Sequence, residues 1–359
     1  MKLKDVKTNY IIGIGRSGTS LLMSLLGAHP NIHATPENYF SIFFSQAFQN
    51  KTCFSPHDIR LMHRFNIAFG KLQPYVAFNY VLNNESKLLK NGFKGTYHEL
   101  CNEIYRSFQH TTLQNTEVSA IIDKNPSNTL FINKLLKINP EAKFVLMIRD
   151  YRANILSRKE SIHLFTADVA FNSFRWNYFT MKALRLKERF PEKVLLIRYE
   201  DLVNSTDETL QSVFSFLEVE TINSEDLRER ERERASYLDF EQDEKLKSSD
   251  RIQKKYGDLA KPIFKNRTDK WKESLSPLEI QISESICGKT GAQVGYQMTH
   301  EIHFLMLLVF KFKNVFKSLK VNLIFQKDYL FFYLPIEFKL KRFENFVEKV
   351  DVKRSTVNK

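Results

Sequence analysis

Eight residues near the start of the chain, Gly13-Ile14-Gly15-Arg16-Ser17-Gly18-Thr19-Ser20, have the types and spacing of an anion cradle. Glycines let a tight turn aim its backbone N–H groups at one point, and a helix opening behind them adds its positive end. The order nearly fits the phosphate-loop pattern GxxxxGK[ST], but Thr19 stands where that pattern has lysine. A nucleoside triphosphate would lose its main γ-phosphate charge there. The cation comes instead from Arg16, inside the turn, and Thr19 and Ser20 add hydroxyl donors. A lone glycine turn can be purely structural. Here the apolar run before it and the helical spacing after it favour the cradle.

Three more polar motifs follow apolar runs. Asp123-Lys124-Asn125-Pro126 follows 118–122, Arg149-Asp150 follows 143–148, and Arg198-Tyr199-Glu200-Asp201 follows 194–197. Ser157 stands eight positions after Arg149. Arginine can grip a phosphate with two parallel N–H donors, and serine can add one hydrogen bond. Asp150, Glu200 and Asp201 read first as residues that order their neighbours. His29, His33 and Glu37 lie beyond the first helix and are the candidates for a proton acceptor, although a histidine in such a place is often a packing or capping residue.

The elements that position these groups can be read from hydrophobic spacing. Residues 10–14 read as a buried strand, 15–18 as a turn, and 19–28 as a helix with Leu21, Leu22, Leu25 and Leu26 inward. Residues 38–118 look mostly helical, with loops near Pro56 and Gly92. The runs at 118–122, 143–148 and 194–197 read as strands, with a helix at 128–137. Short apolar runs alternating with helices predict an α/β fold, a phosphate-loop-like parallel sheet flanked by helices. Such sheets bind ligands beyond the carboxyl ends of their strands, and all four motifs sit at such ends.

A chain of 359 residues with 43% hydrophobic and 26% charged residues can bury a sizeable core. Its net charge of +13 favours anionic partners. No nucleic-acid motif accompanies that basicity. Cys53, Cys101 and Cys287 are far apart, which argues against a disulfide framework or a zinc site. The residues before the first strand leave no room for a signal peptide, so a cytoplasmic protein is expected. Residues 222–255 are highly charged, and the alternating signs of 228–234 read as a solvated helix face. A boundary near residue 300 separates residues 1–300 from a basic, Phe-rich, mainly helical appendage, 301–359. Ten phenylalanines fall between 304 and 346, and Lys313, Lys317 and Lys320 share a helical face, with Lys311 nearby. Such a segment suits peripheral contact with a membrane interface, or an extra helical layer with its lysines in water. The apolar run 304–310 is too short to span a bilayer.

Arg16-Ser17-Gly18-Thr19-Ser20 with Leu21-Leu22 resembles the 5′-phosphosulfate loop of sulfotransferases that use 3′-phosphoadenosine-5′-phosphosulfate (PAPS). Arg149 through Ser157 resembles that family's 3′-phosphate motif, and Asp123-Lys124-Asn125-Pro126 resembles the strand-end lysine motif of its tyrosylprotein-like branch. Arg198-Tyr199-Glu200-Asp201, Lys261-Pro262, Lys270-Trp271 and Gly295-Tyr296 follow in that branch's order, so the resemblance runs from about residue 10 to 297. It implies PAPS as donor and PAP as product, with no metal. Donor contacts then fall to Arg16, Ser17, Gly18, Thr19, Ser20, Arg149, Ser157, Tyr199 and Lys270, the last on a loop that closes over the nucleotide. Trp271 itself reads as a core aromatic. Glu37 stands at the position of the branch's general base, which burial would strengthen, and Arg16 and Lys124 would stabilise charge during in-line transfer. The acceptor that the resemblance implies is a hydroxyl, with a glycan, a lipid or sterol, a phenol and tyrosine all left open. Asn38-Tyr39-Phe40 beside Glu37 is not the charged cluster expected around a peptide tyrosine. The competing readings are a phosphate-loop kinase or NTPase, and a non-catalytic module that binds anionic ligands.

Overall fold

The structure is a computed structural model that describes residues 6–35, 37–72, 79–80, 87–109, 118–161, 166–236, 268–300, 312 and 314–357. Five strands form the central sheet: β1 Lys7–Gly13, β2 Ile32–Thr35, β3 Ala120–Lys124, β4 Phe144–Ile148 and β5 Val194–Arg198. They pair in the order β2-β3-β1-β4-β5, and every pairing is parallel. The helices of six residues or more are α1 Thr19–Gly27, α2 Phe40–Phe48, α3 Pro56–Leu72, α4 Tyr97–Arg106, α5 Ile132–Ile138, α6 Tyr151–Lys159 and α7 Val169–Arg189. They continue with α8 Tyr199–Asn204, α9 Thr206–Leu217, α10 Ser224–Ser236, α11 Pro277–Ala292, α12 Val315–Phe331 and α13 Ile336–Val357.

The apolar runs are strands because both faces of the sheet are covered. Ile11, Ile122, Val145 and Met147 pack against α1, α8, α9 and α10. Their neighbours Tyr10, Ile12, Ile121, Phe144 and Leu146 join the larger core on the other face. From β1 the chain moves through α1 to the sheet edge at β2, returns in β3, then crosses β1 to β4. This reversal flanks the end of β1 with strands from both directions, the place where α/β sheets hold ligands.

Several boundaries differ from those read in the sequence. β2 was not anticipated. It is a four-residue edge strand, too short for a periodic signal, and it exists by pairing with β3. β3 runs on to Lys124, because Ile11 and Lys124 are register partners. The helix expected at 128–137 is a 3₁₀ turn, Pro126–Leu130, followed by α5. Pro56 opens α3 instead of marking a loop, at the helical position where a missing N–H costs little. Two short antiparallel ladders, Cys53–Phe54 with Phe93–Lys94 and Asn79–Tyr80 with Phe108–Gln109, interrupt the helices of that region. Nor is α10 wholly solvated. Leu227 and Glu231, one turn apart, are buried, and Ser24 donates to the Glu231 carboxylate.

The helices after residue 300 form an added layer on the core. Phe325 packs 4.9 Å from Tyr178 and 5.0 Å from Phe179. Phe332 meets Phe131 at 4.8 Å, and Phe343 stacks on Phe65 at 4.8 Å. Arg64 grips Glu344 with two hydrogen bonds of 2.9 and 3.1 Å. Buried Lys339 donates to the carbonyls of Phe43 and Phe332, and burial pulls its pKa down to about 8. The run 304–310 and Lys311 and Lys313 lie outside the described residues. Because this layer shares the domain's core, Phe325→Ala should lower the unfolding free energy by about 3 kcal/mol in one cooperative urea transition. A separate early transition, or an unmoved midpoint, would show an independent appendage.

Candidate active site

The glycine loop between β1 and α1 is built from left-handed backbone. Gly13 has φ +138°, and a Cβ there would lie 2.2 Å from the Met147 carbonyl oxygen. Gly18 has φ +87°, and a Cβ there would lie 2.5 Å from the Tyr199 ring. Arg16 adopts φ +75° although it carries a side chain. Such a residue costs on the order of 1–2 kcal/mol and persists only where its surroundings impose it.

The surroundings are α6 and the end of β4. The carbonyl of Gly15 accepts from Asn154 Nδ2 at 3.1 Å and from Arg158 Nη2 at 2.9 Å. Asn154 Nδ2 also donates to Ser17 Oγ at 3.1 Å. Arg158 Nε donates to Asn154 Oδ1 at 3.1 Å, and Arg149 Nη1 donates to the Arg16 carbonyl at 3.3 Å. The Arg16 side chain is exposed and donates from Nε to Ser157 Oγ at 3.0 Å. On the β1 side, Thr129 Oγ1 accepts from the Gly13 amide at 2.8 Å. Asn154, Ser157 and Arg158 share one helical face by their i, i+3, i+4 spacing. That spacing was the available signal for Asn154, which sequence reasoning passed over.

Arg149 stacks on Tyr199, guanidinium carbon to ring centroid 4.6 Å, and its carbonyl accepts from Trp176 Nε1 at 3.0 Å. The fold thus brings Arg16, Ser17, Gly18, Arg149, Ser157 and Tyr199 to one place. Thr19 is buried at the start of α1, and Ser20 is half-buried beside it. Lys270 pairs with an acidic residue near Ser157. Its ammonium sits 2.5 Å from Glu160, at the C-terminal end of α6 beyond Ser157. Lys261 and Pro262 lie outside the described residues.

The second group stands at the end of β3. Lys124 Nζ is 2.8 Å from Glu37 Oε1; the lysine side chain is buried and the carboxylate side chain 35% exposed. Glu37 is therefore only partly buried, and a lysine faces it. Asn125 Nδ2 donates to the Asn38 carbonyl at 2.9 Å, and its backbone amide bonds the Ile11 carbonyl. These bonds tie the Glu37 segment to β1 and β3. Asp123, one residue before Lys124, is wholly buried and accepts from Tyr105 at 2.8 Å and Asn128 at 3.2 Å. Burial pushes its pKa up to about 7.

The two histidines are committed to packing. His29 contacts the Glu220 carbonyl at 2.9 Å through Nε2 and accepts from the Asn31 amide at 3.0 Å through Nδ1. His33 Nε2 contacts the Tyr105 carbonyl at 2.8 Å. Burial lowers the pKa of both. Asp150, Glu200 and Asp201 order neighbours, as read. Asp150 caps α6, Glu200 accepts from the Asp150 amide and the Tyr296 hydroxyl, and Asp201 holds Arg198. Among the described residues no three His, Cys, Asp or Glu side chains gather as a metal site would need.

The sequence profile described as "Sulfotransferase family" matches residues 10–223, more than half of the chain. The chain belongs to the sulfotransferase family. A Danio rerio relative named protein-tyrosine sulfotransferase 1 is 24% identical to this sulfotransferase over 307 residues, covering 82% of this chain and 73% of that one. A Caenorhabditis briggsae relative is 24% identical over 215 residues, and the match spans 59% of this chain but 65% of the relative's length. The solved sulfotransferase domain from the curacin biosynthetic pathway shares the fold. Its TM-score is 0.51 at 17% identity, covering 82% of this sulfotransferase and 99% of that chain.

Asp123 makes one consequence measurable. Between the ordinary carboxylate range and pH 7, the folded chain keeps a proton that the unfolded chain gives up. Folding stability from this group therefore falls as pH rises across that window. Asp123→Asn keeps a carbonyl acceptor for Tyr105 and removes the titration. Urea midpoints measured from pH 4 to 7 should favour the variant over wild type increasingly; a constant difference would reject the burial account.

Proposed function

We propose that this sulfotransferase moves a sulfuryl group from PAPS to an acceptor hydroxyl, with Glu37 as the base. The observation that carries the reading is the meeting of two groups at adjacent strand ends. The glycine loop with Arg16, Arg149 and Ser157 is one, and the Lys124–Glu37 pair is the other. The donor set fits PAPS in its chemistry. Two guanidinium groups, a hydroxyl and a helix N-terminus suit a ligand with phosphate at both ends.

In this reading the loop amides and Arg16 hold the 5′-phosphosulfate end, and Arg149 and Ser157 hold the 3′-phosphate. Tyr199 backs both, through Gly18 and through the Arg149 guanidinium. PAPS supplies the activated sulfuryl group and leaves as PAP. Glu37 takes the hydroxyl proton as the acceptor oxygen bonds to sulfur and the bond to the 5′-phosphate breaks. Lys124 positions the Glu37 carboxylate and, with Arg16, offsets negative charge that builds during transfer. The relative named for protein tyrosine lends a phenolic hydroxyl as one candidate acceptor.

Two measurements test this. PAP or PAPS at a hundredfold its Kd should add about 2.7 kcal/mol of stability, and Arg149→Ala should abolish most of that gain. Stabilisation by ATP with Mg²⁺ but not by PAP would overturn the assignment. Glu37→Gln should keep the PAP-induced shift in Tm and lose roughly 10²–10⁴-fold in kcat. Unchanged turnover of that variant, on any acceptor found by screening, would exclude Glu37 as the base.

A further inference from the structure

α12 has two apolar faces, and the core covers one. Val321 and Phe325 are buried against the domain. Phe316, Leu319, Leu323 and Leu330 follow one another at steps of three, four and seven residues and form a second stripe that points outward, and Phe312 just before the helix is exposed as well. Phe312 is 83% exposed, Phe316 79% and Leu323 64%. Tyr333 and Leu334 continue the exposed surface into the turn before α13. A stripe of this length is more than scattered surface apolar residues, and such patches mark interaction sites.

The charges beside the stripe indicate what covers it. Lys320 and Lys327 are exposed along one flank, while Lys317 is drawn to Asp168 at 2.8 Å. Between residues 302 and 336 the chain has five lysines, and Asp328 is its one acidic residue. Two copies of α12 packed face to face would set like charges together with almost no carboxylate to offset them. An anionic, apolar partner satisfies both the stripe and its flank, and the net charge of +13 acts in the same direction. No helix among the described residues is long and apolar enough to cross a membrane, so the contact is with the interface.

We propose that the outward face of α12, from Phe316 to Leu330, docks on an anionic lipid surface, with exposed Phe312 just before it. The phenylalanines and leucines enter the headgroup boundary, and Lys320 and Lys327 meet lipid phosphates. The test is co-sedimentation of the full chain with phosphatidylcholine vesicles, with and without phosphatidylserine. The variants are F316S/L323S and K320E/K327E, all at exposed positions, with thermal melts as a check on folding. Wild type should pellet with the serine-containing vesicles and stay in solution with the neutral ones. Both variants should lose about tenfold or more in partitioning, and added salt should release the wild type. Equal recovery with the two vesicle types, equal behaviour of wild type and variants, or a wild-type dimer that F316S/L323S dissolves without any lipid binding would each overturn the proposal.

Discussion

The carbonyl oxygen of Gly15 is where the glycine loop is fastened to the helix behind it. A loop that aims its amides at an anion turns its carbonyls the other way, into the protein. Those carbonyls need donors, since a buried unpaired peptide oxygen costs about as much as a lost hydrogen bond. α6 supplies them from one face, through Asn154 and Arg158 on Gly15, and Arg149 supplies another to Arg16. The left-handed backbone of Arg16 is thus imposed from behind, and its guanidinium is aimed at Ser157 on the same helix.

α6 must itself be held in place, and Arg152 does this. It binds Asp150 through two nitrogens at 2.7 and 3.0 Å and reaches Glu284 on α11 at 2.8 Å, while its guanidinium lies 4.0 Å from the Trp271 ring. Glu284 is buried and accepts further bonds from Thr299 and the His300 amide. A buried charge pair adds little net stability, because desolvation offsets the attraction, but losing one partner strands the other. Arg152 therefore acts as a joint between the strand ends and the C-terminal half. Trp271, read as a core aromatic, is one wall of that joint.

The helices after residue 300 bear on the same region from the other side. Phe332 packs on Phe131, which follows the 3₁₀ turn after Lys124, and its ring lies 6.4 Å from that of Tyr39, two residues beyond Glu37. Lys134 stands 3.8 Å over the Tyr333 ring. The added layer is thus structural support for the segment that carries Glu37, and its outer surface faces away from the core it helps to build.

The glycine loop, the strand-end basic residues, the parallel sheet and the helical character of the C-terminal segment were legible in the sequence, because each has a local signature. Apolar runs bounded by polar motifs mark buried strands, and the carboxyl-end rule then says where their motifs must gather. The edge strand β2 had no such signature, since four residues carry no period. Partnership was not legible either. Glu37 meets Lys124 across 87 positions, Arg16 meets Ser157 across 141, and Arg158 reaches Gly15 across 143. Hydrophobic periodicity sets which face of an element is buried, but not which distant element covers it. The sequence by itself determined the kinds of element and the charges at their ends. The tertiary structure alone decided that Lys270 sits on Glu160, that both histidines serve backbone carbonyls, and that α12 keeps one of its two apolar faces in solvent, because each depends on how segments far apart in the chain pack.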